Sequence, residues 1–147
     1  MDKLVVDASV FLSSLFHDEV NSEISAKFLA MVKERNILIV LPMLTLFEVL
    51  NTFHRVRKDS EATELLHQSF VDMNVSKGLI ILSLEAAFLA HFFTYHECFD
   101  LKTSDSIMAL TAHREKCPLI SWDKKLLKES NKHINAYTPE EYLALAH

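Results

Sequence analysis

Glycine is almost missing from this chain. There is 1 glycine, with 3 prolines, in 147 residues. That scarcity excludes collagen-like and low-complexity classes and leaves little room for long flexible loops. It also removes the glycine-rich loop that cradles nucleotide phosphates. The two cysteines, Cys98 and Cys117, are far apart in sequence, which argues against a disulfide framework and for a reduced setting with both thiols packed. No apolar run approaches the ~20 residues needed to cross a bilayer. No signal-peptide pattern opens the chain, because Asp7 interrupts the first apolar run. Positive charge is in deficit: 15 Lys and Arg face 20 Asp and Glu, for a net charge of -5. No global field therefore draws in nucleic acid, and any such contact must be local or bridged by metal. These absences lead us to expect a soluble, cytoplasmic protein without membrane contact.

Apolar residues, at 50% of the chain, are plentiful. That supply and the length suit one domain with a sizeable core. Leu4-Val5-Val6 is a short apolar run that suits a strand buried on both faces. It ends abruptly in Asp7, with Ser9 two residues on. In an open parallel sheet, ligands bind beyond the carboxyl ends of the strands. Asp7 is thus either the floor of such a crevice or a cap for the next helix. Alone, the residue fits both.

Residues 8–16 read as a short helix or turn, and 21–34 as a helix with Ile24, Phe28, Leu29 and Val32 at helical spacing. Ile37 to Leu41 is a second buried strand. Pro42 then fits the first turn of a helix over 42–57. Met43, Leu46, Phe47, Leu50 and Phe53 form its apolar side, and Glu48 falls on another side with Thr45 and Asn51. Glu48 belongs either to a solvated face or to the crevice after the second strand. A helix over 60–74, a strand over Leu79–Leu82 and an aromatic-rich helix over 84–97 follow. That last helix is apolar over more than one face, which suits partial exposure and a homodimer contact. His91 and His96 are five apart, off the spacing that pairs ligands on one face, and read as structural. Thr103 or Ser104 caps a helix whose first turn holds Asp105. Leu119 to Ser121 is a fourth strand, with Asp123 before the next helix, and Ile134 to Tyr137 a fifth. Thr138-Pro139-Glu140-Glu141 starts the last helix. The alternation implies an α/β fold, a three-layer α/β/α sandwich around a central four- to five-stranded parallel sheet.

Asp7, Glu48, Asp105 and Asp123 each follow a strand's carboxyl end or open a helix at that edge. Two unit charges ~4 Å apart repel by about 4 kcal/mol at an effective dielectric of 20. A divalent cation relieves that, and all-oxygen ligation points to Mg2+ or Mn2+. A carboxylate-bound Mg2+ can activate water and stabilise phosphoryl charge, which suits phosphate-ester hydrolysis. Arg55, Arg57 and Lys58 cluster beyond Glu48, and Lys102, Lys124, Lys125 and Lys128 flank the other acids. Each alone suits a solvated surface; together they suit an RNA backbone.

The order and context of these motifs resemble the PIN-domain family, notably the VapC toxins of toxin–antitoxin pairs. Val5-Val6-Asp7-Ala8-Ser9 resembles its opening motif, and Leu46-Phe47-Glu48-Val49-Leu50 its second. Ser104-Asp105-Ser106-Ile107-Met108-Ala109-Leu110 resembles the third, and Leu119-Ile120-Ser121-Trp122-Asp123-Lys124-Lys125-Leu126 the fourth. The resemblance covers nearly the whole chain and implies a single PIN-like domain over 1–147. It implies an Mg2+- or Mn2+-dependent endoribonuclease, with Asp7, Glu48, Asp105 and Asp123 as metal ligands. Ser9 and Ser121 would orient carboxylates or water. Arg55, Arg57, Lys102, Lys124 and Lys125 would contact RNA, and a small antitoxin would be the partner. Ser121 stands where Thr is common, and Trp122 is bulkier than usual there. Its side chain either stacks on a base or packs over the sheet edge. Two other readings stay open: a PIN-like RNA- or protein-binding module without cleavage, and a metal-dependent phosphohydrolase of small molecules.

Overall fold

Leu4, Val5 and Val6 are each at most 1% exposed and make up the first strand, β1 (Lys3–Val6), after its opening lysine. Their burial is worth on the order of 5 kcal/mol, against about 1 kcal/mol for a helix cap. The strand therefore fixes where Asp7 lies, and capping follows. The fold was obtained as a computed structural model, which describes residues 2–146. After β1 come α1 (Ala8–Leu15), α2 (Ser22–Glu34), β2 (Leu38–Pro42), α3 (Met43–Arg57) and α4 (Ser60–Val75). Then follow β3 (Leu79–Leu82), α5 (Ala86–Tyr95), a 3-10 turn (His96–Cys98) and α6 (Thr103–Glu115). The chain closes with β4 (Leu119–Ile120), α7 (Lys124–Ser130), β5 (Ala136–Tyr137) and α8 (Pro139–Leu145).

The strands form one parallel sheet in the order β3-β2-β1-β4-β5. β1 is central, with Val5 in register with Val40 of β2 and Leu119 of β4. The chain leaves β1 toward one edge and returns to its other side at β4. That makes the carboxyl end of β1 the topological switch point, where open parallel sheets bind ligands. Strand alternation divides the core. Leu4, Val6, Ile39 and Leu41 pack with Phe11, Phe28 and Phe70 of α1, α2 and α4. Val5 and Val40 pack on the other face with Phe88, Leu110 and Leu126 of α5, α6 and α7. The result is an α/β/α sandwich.

Several local expectations change. The apolar side of α3 matches the expected one only in part: Phe53 is buried and Leu46 and Leu50 pack against the core, but Met43 and Phe47 are 52% and 66% exposed, and Thr45 and Val49 are buried instead. The face is set by where α3 meets the sheet and α6, as the Thr45 Oγ1–Met108 Sδ distance of 2.8 Å records. Helix α6 starts after Lys102 without a side-chain cap bond, so neither Thr103 nor Ser104 caps it. Helix α5 begins after Glu85, and only Phe88 on it is buried. Leu89 and Phe93 point outward, 55% and 70% exposed. His91 packs against Tyr95 and reaches His113 at 3.3 Å. Cys117 is buried but Cys98 only half so. Among the described residues, no helix is long and apolar enough to cross a membrane.

Candidate active site

Asp7 leaves β1 at the switch point with its backbone N–H donating to Ile120 O at 2.9 Å. That bond joins the ends of β1 and β4 and holds two loops side by side. Ser9, in the first turn of α1, donates its hydroxyl to Asp7 Oδ2 at 2.6 Å. Ser121, fully buried beyond β4, donates to the same oxygen at 2.8 Å. Both hydroxyls also accept backbone donors, Ser9 from Trp122 N at 3.1 Å and Ser121 from Asp123 N at 2.9 Å. The amides thus hold the hydroxyls, and the hydroxyls hold one oxygen of the Asp7 carboxyl group. Its other oxygen, Oδ1, faces none of these donors.

The remaining acids gather around this point. Asp105 lies in the first turn of α6, whose N-terminus sits at the carboxyl edge of the sheet, with its side chain 13% exposed. Burial pushes its pKa up, Lys102 opposes the shift, and the charges of Asp123 and Asp7 raise it further. Glu48, in the second turn of α3, is exposed as a whole residue. Partial desolvation of its carboxyl is still the larger cause of a raised pKa, followed by Asp7, with Asp105 adding to it. Asp7 repels Glu48 and Asp105, Asp105 repels Glu48, and Asp123 repels Asp105, so each carboxylate lies within the field of at least one other. Asp123 caps α7, accepting from Lys125 N and Leu126 N at 2.8 and 3.0 Å through Oδ1. The capping role and the crevice position of Asp7 and Asp123 thus coexist.

Among the described residues, no three of these groups close into a ready-made metal cage. The donor set is all oxygen and carries surplus negative charge, which fits Mg2+ or Mn2+ and not zinc. Mg2+ keeps several of its own waters, so the carboxylates need not all touch it. The residues therefore fit such an ion.

Of the basic residues, Lys102 comes nearest, with Nζ 3.8 Å from Asp105 Oδ2. Lys124 and Lys125 are exposed in the first turn of α7, directly after Asp123. Arg55 and Arg57 lie about two turns or more along α3 from Glu48. Arg57 turns toward α1, its guanidinium over the Phe16 ring at 5.5 Å and 3.4 Å from Leu15 O. Trp122 does pack rather than project: its indole Nε1 donates to the buried Ser25 Oγ at 2.8 Å. Ser25 and its neighbour Ser13 were not singled out from sequence. Nothing in a helix reading marks one serine among several as a partner for a residue 97 positions away.

The sequence matches the family model described as PIN domain over residues 4–131. No curated protein matches it. Among solved structures, the fold is similar to FitAcB from Neisseria gonorrhoeae, with a TM-score of 0.68 and 14% identity, covering 93% of this chain and 98% of that one. It is also similar to a toxin–antitoxin complex from Klebsiella pneumoniae, with a TM-score of 0.62, 16% identity and coverage of 92% and 97%. A third is VapBC2 from Rickettsia felis bound to a DNA fragment from their promoter, with a TM-score of 0.59, 15% identity and coverage of 92% and 98%. At such identities these likenesses establish a shared fold.

Proposed function

This chain belongs to the PIN domain family, and from that premise we propose that it is a metal-dependent endoribonuclease, the toxin of a toxin–antitoxin pair, working as one domain. The observation that carries this reading is the gathering of Asp7, Glu48, Asp105 and Asp123 at the switch point, each within the field of another. Those four would hold Mg2+ or Mn2+, which when bound activates a water and neutralises charge on a phosphoryl oxygen. Asp7 would face the ion with the oxygen its serines leave free. Ser9 and Ser121 orient that carboxylate; their hydroxyl protons are committed to it. Lys102, Lys124 and Lys125 stand beside the acids and would take the phosphates flanking the cleaved bond. Arg55 and Arg57 would meet RNA further out along α3.

The Klebsiella structure is a toxin–antitoxin complex by name, which supports a small antitoxin as partner here, with α3 and α4 as docking walls. A homodimer is supported by the outward Leu89 and Phe93 on α5.

The test is cleavage of total RNA by the partner-free chain with Mg2+ or Mn2+, with EDTA, and by Asp7→Asn. Discrete fragments that vanish in the last two are expected. Metal-loaded wild type that binds RNA yet cuts none would replace the nuclease with a binding module. Hydrolysis of small phosphate esters but not RNA would replace it with a phosphohydrolase.

A further inference from the structure

Trp122 stands between a catalytic-looking Ser121 and Asp123, yet its indole points into the protein. Its Nε1–H can only donate, and it donates to Ser25 Oγ of α2 at 2.8 Å. Ser25 is 0% exposed and lies 2.6 Å from Ser13 Oγ of α1, itself 2% exposed. Ser13 also reaches Val10 O at 3.1 Å, and either serine can donate in the contact between them. The tether thus runs from the indole to α2 and on to α1. Buried networks of that kind hold one geometry, because any shift leaves a donor unpaired.

The backbone of the same residue does the second task. Trp122 N donates to Ser9 Oγ at 3.1 Å, and Ser9 Oγ donates to Asp7 Oδ2 at 2.6 Å. β4 is only two residues long, so the loop after it has little ladder to fix it. The anchored indole supplies the constraint that the strand does not. We propose that Trp122, moored through its indole to Ser25, is a positioning residue that sets the orientation of the Asp7 carboxylate through Ser9. Ser25 is the second positioning residue, and Trp122 takes no part in base stacking. The proposal rests on the metal reading above.

Mn2+ titration by calorimetry on the full chain tests it. Trp122→Phe keeps an aromatic ring and removes the donor; Ser25→Ala removes the acceptor. Each is expected to weaken Mn2+ binding about threefold to tenfold, the range one hydrogen bond supplies. The double variant should fall no further than either single one, since both remove the same bond. Val32→Ala, in the α2 core at 2% exposure, should lower the melting temperature and leave Mn2+ affinity unchanged. Variants that lose stability but bind Mn2+ as wild type does, or whose effects add, would overturn the positioning role. Wild type that binds no Mn2+ would overturn the metal reading itself and the positioning role with it, and shows in the parent before any variant is compared.

Discussion

Ser121 uses its hydroxyl in two bonds, accepting from Asp123 N and donating to Asp7 Oδ2, with no solvent exposure. Ser121→Ala would leave a buried amide without its acceptor and a carboxylate with one donor fewer. The expected loss is about 1–3 kcal/mol of unfolding free energy, read by urea titration. Ser121→Thr keeps the hydroxyl and should recover most of it. An alanine variant as stable as wild type would mean that water replaces both bonds. The cysteines give a second residue-scale test. Burial pushes the Cys117 thiol up to about 11, so almost none is thiolate near neutrality. Iodoacetamide on the native chain should label the half-buried Cys98 and spare Cys117, as peptide mass spectrometry would read. Equal labelling would contradict the buried place of Cys117 beside β1.

At the scale of elements, the N-terminus of α6 is the most informative. Its capping residue, Lys102, makes no side-chain cap and instead extends its ammonium toward Asp105, 3.8 Å away. A cation there opposes a divalent ion in the same crevice. At ~4 Å even water leaves about 1 kcal/mol per pair of unit charges. Lys102→Ala should therefore raise Mn2+ affinity several-fold while weakening RNA binding, two opposite signs from one substitution. Weaker binding of both would show that Lys102 supports the metal. The same scale explains what the sequence could and could not disclose. β1 and its terminal Asp7 were legible because a buried apolar run followed by a carboxylate has few alternatives. Asp7, Asp105 and Asp123 stood out for a similar reason, each following a strand or opening a helix, whereas Glu48, in the second turn of α3, stood out only through the family resemblance. The buried face of α3 was legible only in part. Phe47 looks like core and Thr45 like surface, but the contact with α6, a long-range event, decides the reverse. The Ser25–Trp122 tether is invisible for the same reason, since side-chain pairing across 97 positions leaves no periodicity.

For the whole molecule, Glu48 and Asp105 cost stability when both are ionised. Burial is the first cause raising the pKa of both Glu48 and Asp105. A carboxyl with a raised folded pKa binds its proton more readily in the native state than in the unfolded chain. Stability from that source is complete below the ordinary carboxylate pKa, near pH 4, and is lost as pH rises through the folded value. At neutrality the metal-free protein therefore carries the full penalty. Replacing Glu48 by Gln and Asp105 by Asn together should raise the neutral-pH melting temperature of the metal-free chain. The difference from wild type should shrink toward pH 4, where both carboxyls protonate anyway. Mn2+ should reverse the order at pH 7. An ion that binds only the native state adds about 2.7 kcal/mol at a hundred times its dissociation constant, and the double variant has lost two of its four acids. Measuring melting temperatures across pH, with and without Mn2+, reads both effects in one experiment. The surface pairs that lower the Glu23 and Glu129 pKa through Lys27 and Lys132 work in the opposite sense, but they are common to both proteins and cancel in the difference. If the double variant is less stable than wild type without metal at pH 7, the four carboxylates are held by partners other than a cation. The crevice would then be a structural polar cluster, and the nuclease reading would lose the electrostatic support on which it stands.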